Sequence, residues 1–287
     1  MTEKRTNHLA TQNFIFGYDQ QTPLKATLFR AKHVKGTILY FHGGGFLYGY
    51  RNDLPKSYLQ LFLTSGYSIF TFDYPLAPEA SLMRIYQSTQ KALQWFLHEG
   101  WQHSGLGNKD YVLFGRSAGG YLVSLLTATQ PQAYQIGLIR FYGYQQILNQ
   151  AFFTPSPYYQ RFPTIPPLEV QELIQSVPLT EGSLATRFPL YLSARQFGNW
   201  HTYLGKRNEL RYLDQQLQNF KHYPPTFLAH CQEDPDVPIQ ASKTFAESLP
   251  CVKTEWLSDS AHDFDRQQNP TADYCYQKLI EWLDQLF

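Results

Sequence analysis

Apolar and polar positions alternate in blocks along most of the chain. Four short runs are almost entirely apolar: 36–41 (GTILYF), 67–74 (YSIFTFDY), 110–115 (DYVLFG) and 136–143 (IGLIRFYG). Such runs are typical of strands that are buried on both faces of a parallel sheet. Helical spacing with capping residues predicts helices at 54–66, at 81–100, and from the end of the third run to about residue 130. Strands that alternate with helices predict a mostly parallel sheet with helices on both faces.

The pattern changes at the start of the chain and resumes near its end. Residues 12–19 and 24–30 are β-rich and are separated by a turn-prone QQTP, which predicts an antiparallel pair. After residue 222, strands are predicted at 225–231 and 252–258, with a helix around 240–249 between them. A last helix is predicted from Ala272 to the final residue of the sequence.

Residues 145–222 interrupt this rhythm. The segment begins rich in proline and aromatic residues, and amphipathic spacing then predicts short helices at 168–177, 185–197 and 207–220. This stretch is too long for a plain loop. We therefore expect an α/β core formed by residues 1–144 and 223–287, with 145–222 inserted as a helical cap or lid. Open α/β sheets bind ligands at the carboxyl ends of their strands, which such an insertion would cover.

Composition narrows the class of protein. The 287 residues carry 24 Lys and Arg against 23 Asp and Glu, a net charge of +1, which argues against nucleic-acid binding and against a polybasic membrane anchor. Cys231, Cys251 and Cys275 are too widely spaced to predict a disulfide framework or a metal site. The polar first residues lack the apolar core of a signal peptide, and no apolar run is long enough to span a membrane. We expect a cytoplasmic protein, and a homo-oligomer is left open.

A serine lies at a predicted junction between a strand and a helix. Gly115, Ser117 and Gly119 form a G-x-S-x-G motif, the nucleophile elbow of α/β-hydrolases. Such a sharp turn forces the central residue to a positive φ and presents its hydroxyl at the edge of the sheet. The motif alone is common by chance, and its place between strand and helix makes Ser117 the candidate nucleophile.

Three consecutive glycines follow the strand at 36–41. In His42–Phe46 (HGGGF), backbone N–H groups can approach a ligand without intervening side chains. Two of them, together with the N–H of Ala118, would form an oxyanion hole. A plain glycine-rich turn is the alternative interpretation, and the absence of GxGxxG and of GxxxxGK[ST] disfavours a phosphate-binding loop.

A serine nucleophile needs a general base, and the base needs an orienting acid. The chain order of α/β-hydrolases is serine, acid, histidine. Only His262 follows all the acid candidates, since His201, His222 and His230 precede them. Asp234 comes after the strand at 225–231 and is the expected acid, with Asp236 and Glu233 as alternatives. These acids lie beside His230 and Cys231, but without the ligand spacing of a metal site.

Taken together, these motifs resemble the hormone-sensitive-lipase-like carboxylesterase branch of the α/β-hydrolases. The resemblance rests on HGGGF at 42–46, DYPLAPE at 73–79 and GRSAGG at 115–120, and it covers most of the chain outside 145–222. It implies a serine carboxylesterase that acts on small-molecule esters, with short acyl chains expected, through an acyl-enzyme and without a cofactor. It further implies Ser117, Asp234 and His262 as the triad, and Gly44, Gly45 and Ala118 as the oxyanion donors. Asp73, Tyr74, Glu79 and His42 are expected to organise loops rather than to react.

The sequence departs from the family pattern at Arg116, where the family often has Asp. It also has few residues before its first strand, so that a cap would come mostly from 145–222. The same triad would serve an amidase, an arylformamidase-like enzyme or an acyltransferase. A ligand-binding protein on a hydrolase scaffold is the alternative from another class.

Overall fold

An eight-stranded sheet organises the chain in the computed structural model, which describes residues 11–259 and 261–287. The strand order is β1-β2-β4-β3-β5-β6-β7-β8. β1 pairs antiparallel with β2, β2 pairs antiparallel with β4, and the other neighbours are parallel. The strands are β1 Thr11–Asp19, β2 Thr22–Phe29, β3 Gly36–Phe41, β4 Tyr67–Phe72, β5 Tyr111–Arg116, β6 Gln135–Phe141, β7 Thr226–Cys231 and β8 Val252–Leu257. The predicted fold class is confirmed.

The central strands are apolar because both of their faces are covered. Every residue of β3, β4, β5 and β7 is buried. Alternate side chains of β3 enter different hydrophobic clusters, with Leu39 and Phe41 in one and Ile38 and Tyr40 in the other. Successive side chains of a strand point to opposite faces of the sheet, so each central strand contributes to the hydrophobic cluster on either face.

Helices cover the two faces. They are α1 Lys56–Thr64, α2 Leu82–Trp95, α3 Trp101–Ser104, α4 Ala118–Thr129, α5 Leu184–Phe197, α6 Trp200–Tyr203, α7 Arg207–Gln216, α8 Ile239–Glu247 and α9 Pro270–Leu286. Buried residues of α1 and α9 join the cluster of Ile38 and Tyr40, and those of α2 and α4 join the cluster of Leu39 and Phe41. The sheet is therefore sandwiched between two helical layers.

The predicted end of the second helix was wrong. A stop at Gly100 was expected, but α2 runs through a π-helical stretch, Phe96–Gly100, into α3. Gly100 has a helical φ of −58°, whereas Gly105 has a φ of +87° and ends the helix. A left-handed backbone at the C-terminus, rather than the first glycine, terminates it.

The chain between β6 and β7 is helical but less regular than predicted. The helix expected at 168–177 is only a 3₁₀ segment, Glu169–Leu173, in which Val170 is the buried residue. A helix with so few buried side chains gains little from packing, and short isolated helices are marginal in water. The helix expected at 185–197 is α5, and the one expected at 207–220 ends at Gln216 as α7.

Candidate active site

Ser117 occupies the turn between β5 and α4. Its φ is +50°, as predicted for a nucleophile elbow. Such a conformation costs about 1–3 kcal/mol and persists only where the surrounding structure enforces it. The flanking glycines are required because neighbouring backbone atoms leave no room for a side chain at either position. A Cβ at Gly115 would lie 2.2 Å from the carbonyl oxygen of Gly119, and a Cβ at Gly119 would lie 2.0 Å from that of Phe41. Packing of α4 against the sheet thus holds the serine in place.

Three side chains predicted from the sequence come together at the carboxyl ends of the strands. Ser117 Oγ lies 2.8 Å from His262 Nε2, and His262 Nδ1 lies 2.7 Å from Oδ2 of Asp234. Both separations are hydrogen-bond distances. A carboxylate on Nδ1 requires the proton to be on that nitrogen, so Nε2 of a neutral imidazole is free to accept the hydroxyl proton of Ser117.

The side chain of Asp234 is buried, and both of its carboxylate oxygens are hydrogen-bonded. Its Oδ1 accepts the N–H groups of Asp236 and Val237 at 2.8 and 2.9 Å, and its Oδ2 faces His262 and His230, the latter at 2.9 Å. Burial alone would raise the pKa of this carboxyl, but the charge of His262 and the hydrogen bonds outweigh it and hold the pKa well below its usual range. The group is therefore ionised at neutral pH.

His262 is partly exposed, with 15% of its side chain accessible. Burial opposes its charged form, but the adjacent Asp234 carboxylate, assisted by Asp236 and Asp263, prevails and raises its pKa to about 9. Asp236, the alternative acid, does not reach Nδ1. Its Oδ2 lies 3.9 Å from His262 Nε2, and its carboxylate accepts from Tyr191 and Arg195 instead.

The glycine loop after β3 runs beside Ser117. A Cβ at Gly43 would lie 3.3 Å from the Cβ of Ser117, so the loop and the nucleophile are in close contact. Gly44 and Gly45 have φ values of +99° and +56°, a region that favours glycine. Within residues 11–259 and 261–287, the N–H groups of Gly44 and Gly45 have no hydrogen-bond acceptor. Ala118 is the first residue of α4, where a helical N–H lacks an intrahelical partner.

The motif residues expected to organise loops do so. His42 is buried, which lowers its pKa to about 3, and its ring stacks on Tyr74 with 4.1 Å between the ring centroids. The Tyr74 hydroxyl donates to the carbonyl oxygen of His42 at 2.9 Å. Asp73 accepts from Arg51 and from the N–H of Lys25. His42 is therefore a weakly basic ring whose Nδ1 contacts Gly43 and Tyr74, whereas His262 is the histidine on the hydroxyl of Ser117.

Residues from 145–222 also hold the glycine loop, which the sequence did not indicate. The Trp200 indole N–H donates to the carbonyl oxygen of Gly45 at 3.0 Å. A Cβ at Gly45 would lie 2.3 Å from the ring of Tyr191, so that ring packs directly on the loop. Arg187 donates to the carbonyl oxygen of Leu47 and forms a buried ion pair with Glu79 at 2.7 Å.

Arg116 is the centre of a buried polar network. Its guanidinium donates to Asp265 at 3.0 Å and to the hydroxyl of Tyr142 at 2.8 Å, and it lies 3.5 Å from Asp53. Asp265 also accepts from Tyr276. Because Asp265 lies three residues after His262, this network ties the loop of the histidine to the turn of the serine. Only the unusual arginine beside Ser117 hinted at it in the sequence.

A cavity of about 220 Å³ opens onto Ser117. It is smaller than the roughly 300–1,000 Å³ of sites for drug-sized ligands. Tyr48 lines the cavity, whereas Phe46 is buried against Tyr121 and Trp200. The other lining residues are Gly43, Gly44, Gly49, Tyr50, Asp53, Arg116, Ser117, Tyr142, Gly182, Leu184, His262, Asp263 and Arg266.

Two negative observations concern the described part of the chain. Within residues 11–259 and 261–287, no helix is long and apolar enough to cross a membrane. Over the same residues, no group of three His, Cys, Asp or Glu side chains is arranged to hold a metal ion.

Known proteins match this chain in fold. A family described as the alpha/beta hydrolase fold matches residues 38–262. A protein with unknown function from Staphylococcus aureus subsp. aureus Mu50 is 30% identical, with a TM-score of 0.83 over 96% of this chain and 99% of that one. An alpha/beta hydrolase superfamily protein from Enterococcus faecalis is 24% identical, with a TM-score of 0.79 over 97% and 100%.

More distant matches include esterases. A fungal esterase from Rhizomucor miehei is 16% identical, with a TM-score of 0.68 over 96% of this chain and 83% of that one, a likeness of fold alone. No curated protein sequence matches significantly. Since the family match spans most of the chain, including the glycine loop, Ser117 and His262, this chain belongs to the α/β-hydrolase family, in the hormone-sensitive-lipase-like branch that its motifs resemble.

Proposed function

We propose that this protein is a serine carboxylesterase that hydrolyses small esters with short acyl chains. Ser117 Oγ attacks the acyl carbon while His262 Nε2 takes the hydroxyl proton, and His262 then protonates the departing alcohol. The resulting acyl-enzyme is hydrolysed by water, activated by the same imidazole. Asp234 keeps the proton of the neutral imidazole on Nδ1 and stabilises the charged form.

The single observation that carries the proposal is the continuous path from Ser117 Oγ through His262 to Asp234, with separations of 2.8 and 2.7 Å. The N–H groups of Gly44, Gly45 and Ala118 would stabilise the oxyanion, and loss of one such donor typically costs about 10²–10³ in kcat. The esterases among the proteins of similar fold agree with this reaction. We further propose an α/β core formed by residues 1–144 and 223–287, of which 1–10 and 260 lie outside the described residues, with 145–222 as its cap.

The cavity supports short acyl chains. Its volume of about 220 Å³ leaves little room for a long alkyl chain. Among the residues that the structure describes, Leu184 alone contributes an aliphatic side chain to the lining. We expect kcat/KM to fall from p-nitrophenyl acetate or butyrate to the octanoate. A preference for the octanoate would contradict the acyl-length part of the proposal and leave the nucleophile untouched.

Replacement of the nucleophile tests the mechanism. Ser117→Ala should lower kcat on p-nitrophenyl acetate by about 10⁴–10⁶, leaving a remnant from the oxyanion donors. Ser248→Ala is the control, because Ser248 is an exposed residue at the end of α8 and lies outside the cavity. A Ser117→Ala enzyme with near-normal activity would refute Ser117 as the nucleophile.

Two further measurements separate the alternative functions. A panel of esters, amides and alcohol acceptors distinguishes an esterase from an amidase, an arylformamidase-like enzyme and an acyltransferase. Stoichiometric labelling of Ser117 by an organophosphate is expected for an activated serine. A ligand-binding protein with an unactivated serine would remain unlabelled.

A further inference from the structure

A second histidine contacts the carboxylate that holds His262. His230, near the end of β7, is completely buried and does not line the cavity beside Ser117. Its Nε2 lies 2.9 Å from Asp234 Oδ2 and 3.0 Å from the carbonyl oxygen of Val237. Its Nδ1 lies 2.7 Å from the hydroxyl of Ser242 on α8. The mechanism above gives this histidine no role.

The neighbours of the ring determine where its proton lies. Both groups at Nε2 are acceptors, the Asp234 carboxylate and the Val237 carbonyl, so Nε2 must carry the hydrogen. The hydroxyl of Ser242 at Nδ1 can donate, so that nitrogen needs no proton. Burial lowers the pKa of His230, which keeps the ring in this neutral form.

The carboxylate oxygen is shared between two imidazoles. Oδ2 of Asp234 accepts from His262 Nδ1 at 2.7 Å and from His230 Nε2 at 2.9 Å. Hydrogen bonds to a carboxylate stabilise its charge and reduce its attraction for any further proton. Because the N–H groups of His230 and His262 donate to the same oxygen, the hydrogen bond from His230 weakens the attraction of Asp234 for the proton on His262. The N–H of His230 contacts Oδ2 while the backbone N–H groups of Asp236 and Val237 contact Oδ1, so that both oxygens of the carboxylate are held.

We propose that His230 is a positioning residue for the reaction put forward above, on which this inference rests. Its Nε2–H holds Oδ2 of Asp234 in line with His262 and limits how strongly that oxygen retains the proton on His262. Ser242 in turn orients the ring of His230. The orientation and the basicity of His262 thus depend on a residue that does not contact the substrate.

Other groups near His262 also influence its pKa, and a pH experiment must take them into account. Asp236 lies 3.9 Å from its Nε2, Asp263 is the next residue in the chain, and the ring of Tyr142 lies 4.9 Å away between centroids. None of them changes when His230 is replaced. Loss of the N–H of His230 should therefore raise the pKa of His262 through Asp234 alone, by about one unit.

Three variants test this inference. His230→Leu removes the donor, whereas the side-chain amide of His230→Gln can place an N–H near the position of Nε2. Ser242→Ala removes only the group that orients the ring. We expect the acid limb of kcat/KM for p-nitrophenyl acetate to move up by about one pH unit in His230→Leu and by less in Ser242→Ala. His230→Gln should return the limb toward that of the unaltered enzyme, and KM should change little in all three.

A second readout separates this inference from the proposed function. Titration of the ¹⁵N-labelled histidine side chains by NMR reports the pKa of His262 whether or not the protein hydrolyses esters. His222→Leu, which removes an exposed histidine, is the control and should leave that pKa unchanged. An unchanged pKa of His262 in folded His230→Leu would overturn the inference, as would equal shifts in the Leu and Gln variants. If His230→Leu does not fold, a smaller upward shift in the pKa of His262 in Ser242→Ala supports the inference, and no shift in that variant overturns it.

Discussion

Removal of the charge of Arg116 should destabilise the protein strongly. In Arg116→Met, Asp265 keeps its hydrogen bonds from Tyr142 and Tyr276 but loses its cation. The side chains of Arg116 and Asp265 are 6% and 0% exposed, so solvent does little to screen the charge that remains. Breaking one side of a buried ion pair costs about 3–5 kcal/mol in the free energy of unfolding.

That cost corresponds to a measurable change in melting temperature. The unfolding entropy is about 2.1 cal/mol/K per residue, or roughly 0.6 kcal/mol/K for a chain of 287 residues. We therefore expect Tm to fall by about 5–8 °C. Differential scanning calorimetry measures the fall, and urea unfolding gives the free energy directly. Activity should fall as well, because the network holds the loop that carries His262.

A surface ion pair provides the matched control. Lys35 and Asp284 lie 2.9 Å apart, almost the same separation, but their side chains are 56% and 44% exposed. Lys35→Met should cost less than about 1 kcal/mol. Asp265→Asn, alone and combined with Arg116→Met, completes a double-mutant cycle, in which the second change should cost much less once the first is present. A Tm loss in Arg116→Met no larger than that in Lys35→Met, or fully additive losses in the cycle, would refute the reasoning.

Two other consequences can be measured. The carboxylate neighbours of His262 raise its pKa, and the base must be neutral to accept a proton. We therefore expect kcat/KM to increase with pH along an acid limb whose midpoint lies above 6.5 and no higher than about 9. A midpoint at or below 6.5 would contradict this expectation. Trp200→Phe keeps an aromatic ring but loses the N–H that donates to the carbonyl oxygen of Gly45. We expect kcat to fall by a larger factor than KM rises, and the free energy of unfolding measured in urea to decrease by about 0.5–1.5 kcal/mol. An unchanged kcat would show that the indole does not support the loop.

The strands and the candidate nucleophile could be predicted because local sequence decides them. A strand buried on both faces must be apolar throughout, and β3 begins and ends at the residues that the pattern indicated. The elbow could be identified because close backbone approach excludes side chains at Gly115 and Gly119. The order of serine, acid and histidine along the chain then selected the side chains that lie within hydrogen-bond distance of one another.

Other features depend on distant partners, and no local pattern reveals them. The end of α2 was misjudged because Gly100 fits a helical backbone, and only the φ of Gly105 shows which glycine terminates the helix. Arg116 and Asp265 are 149 positions apart, and their pairing follows from the way the final loop returns to the elbow. His230 had been set aside as a base by its position in the chain, and its contact with Asp234 becomes visible only in three dimensions.

The packing of Tyr191 and Trp200 on the glycine loop bears on how such an enzyme could be altered. A designer who replaced residues 145–222 to admit a bulkier ester would remove, in the same change, the indole that holds the carbonyl oxygen of Gly45. Selectivity and turnover would then change together. Exchanges with related hydrolases should therefore transfer the helical segment and the glycine loop as one unit, because the two segments pack directly against each other.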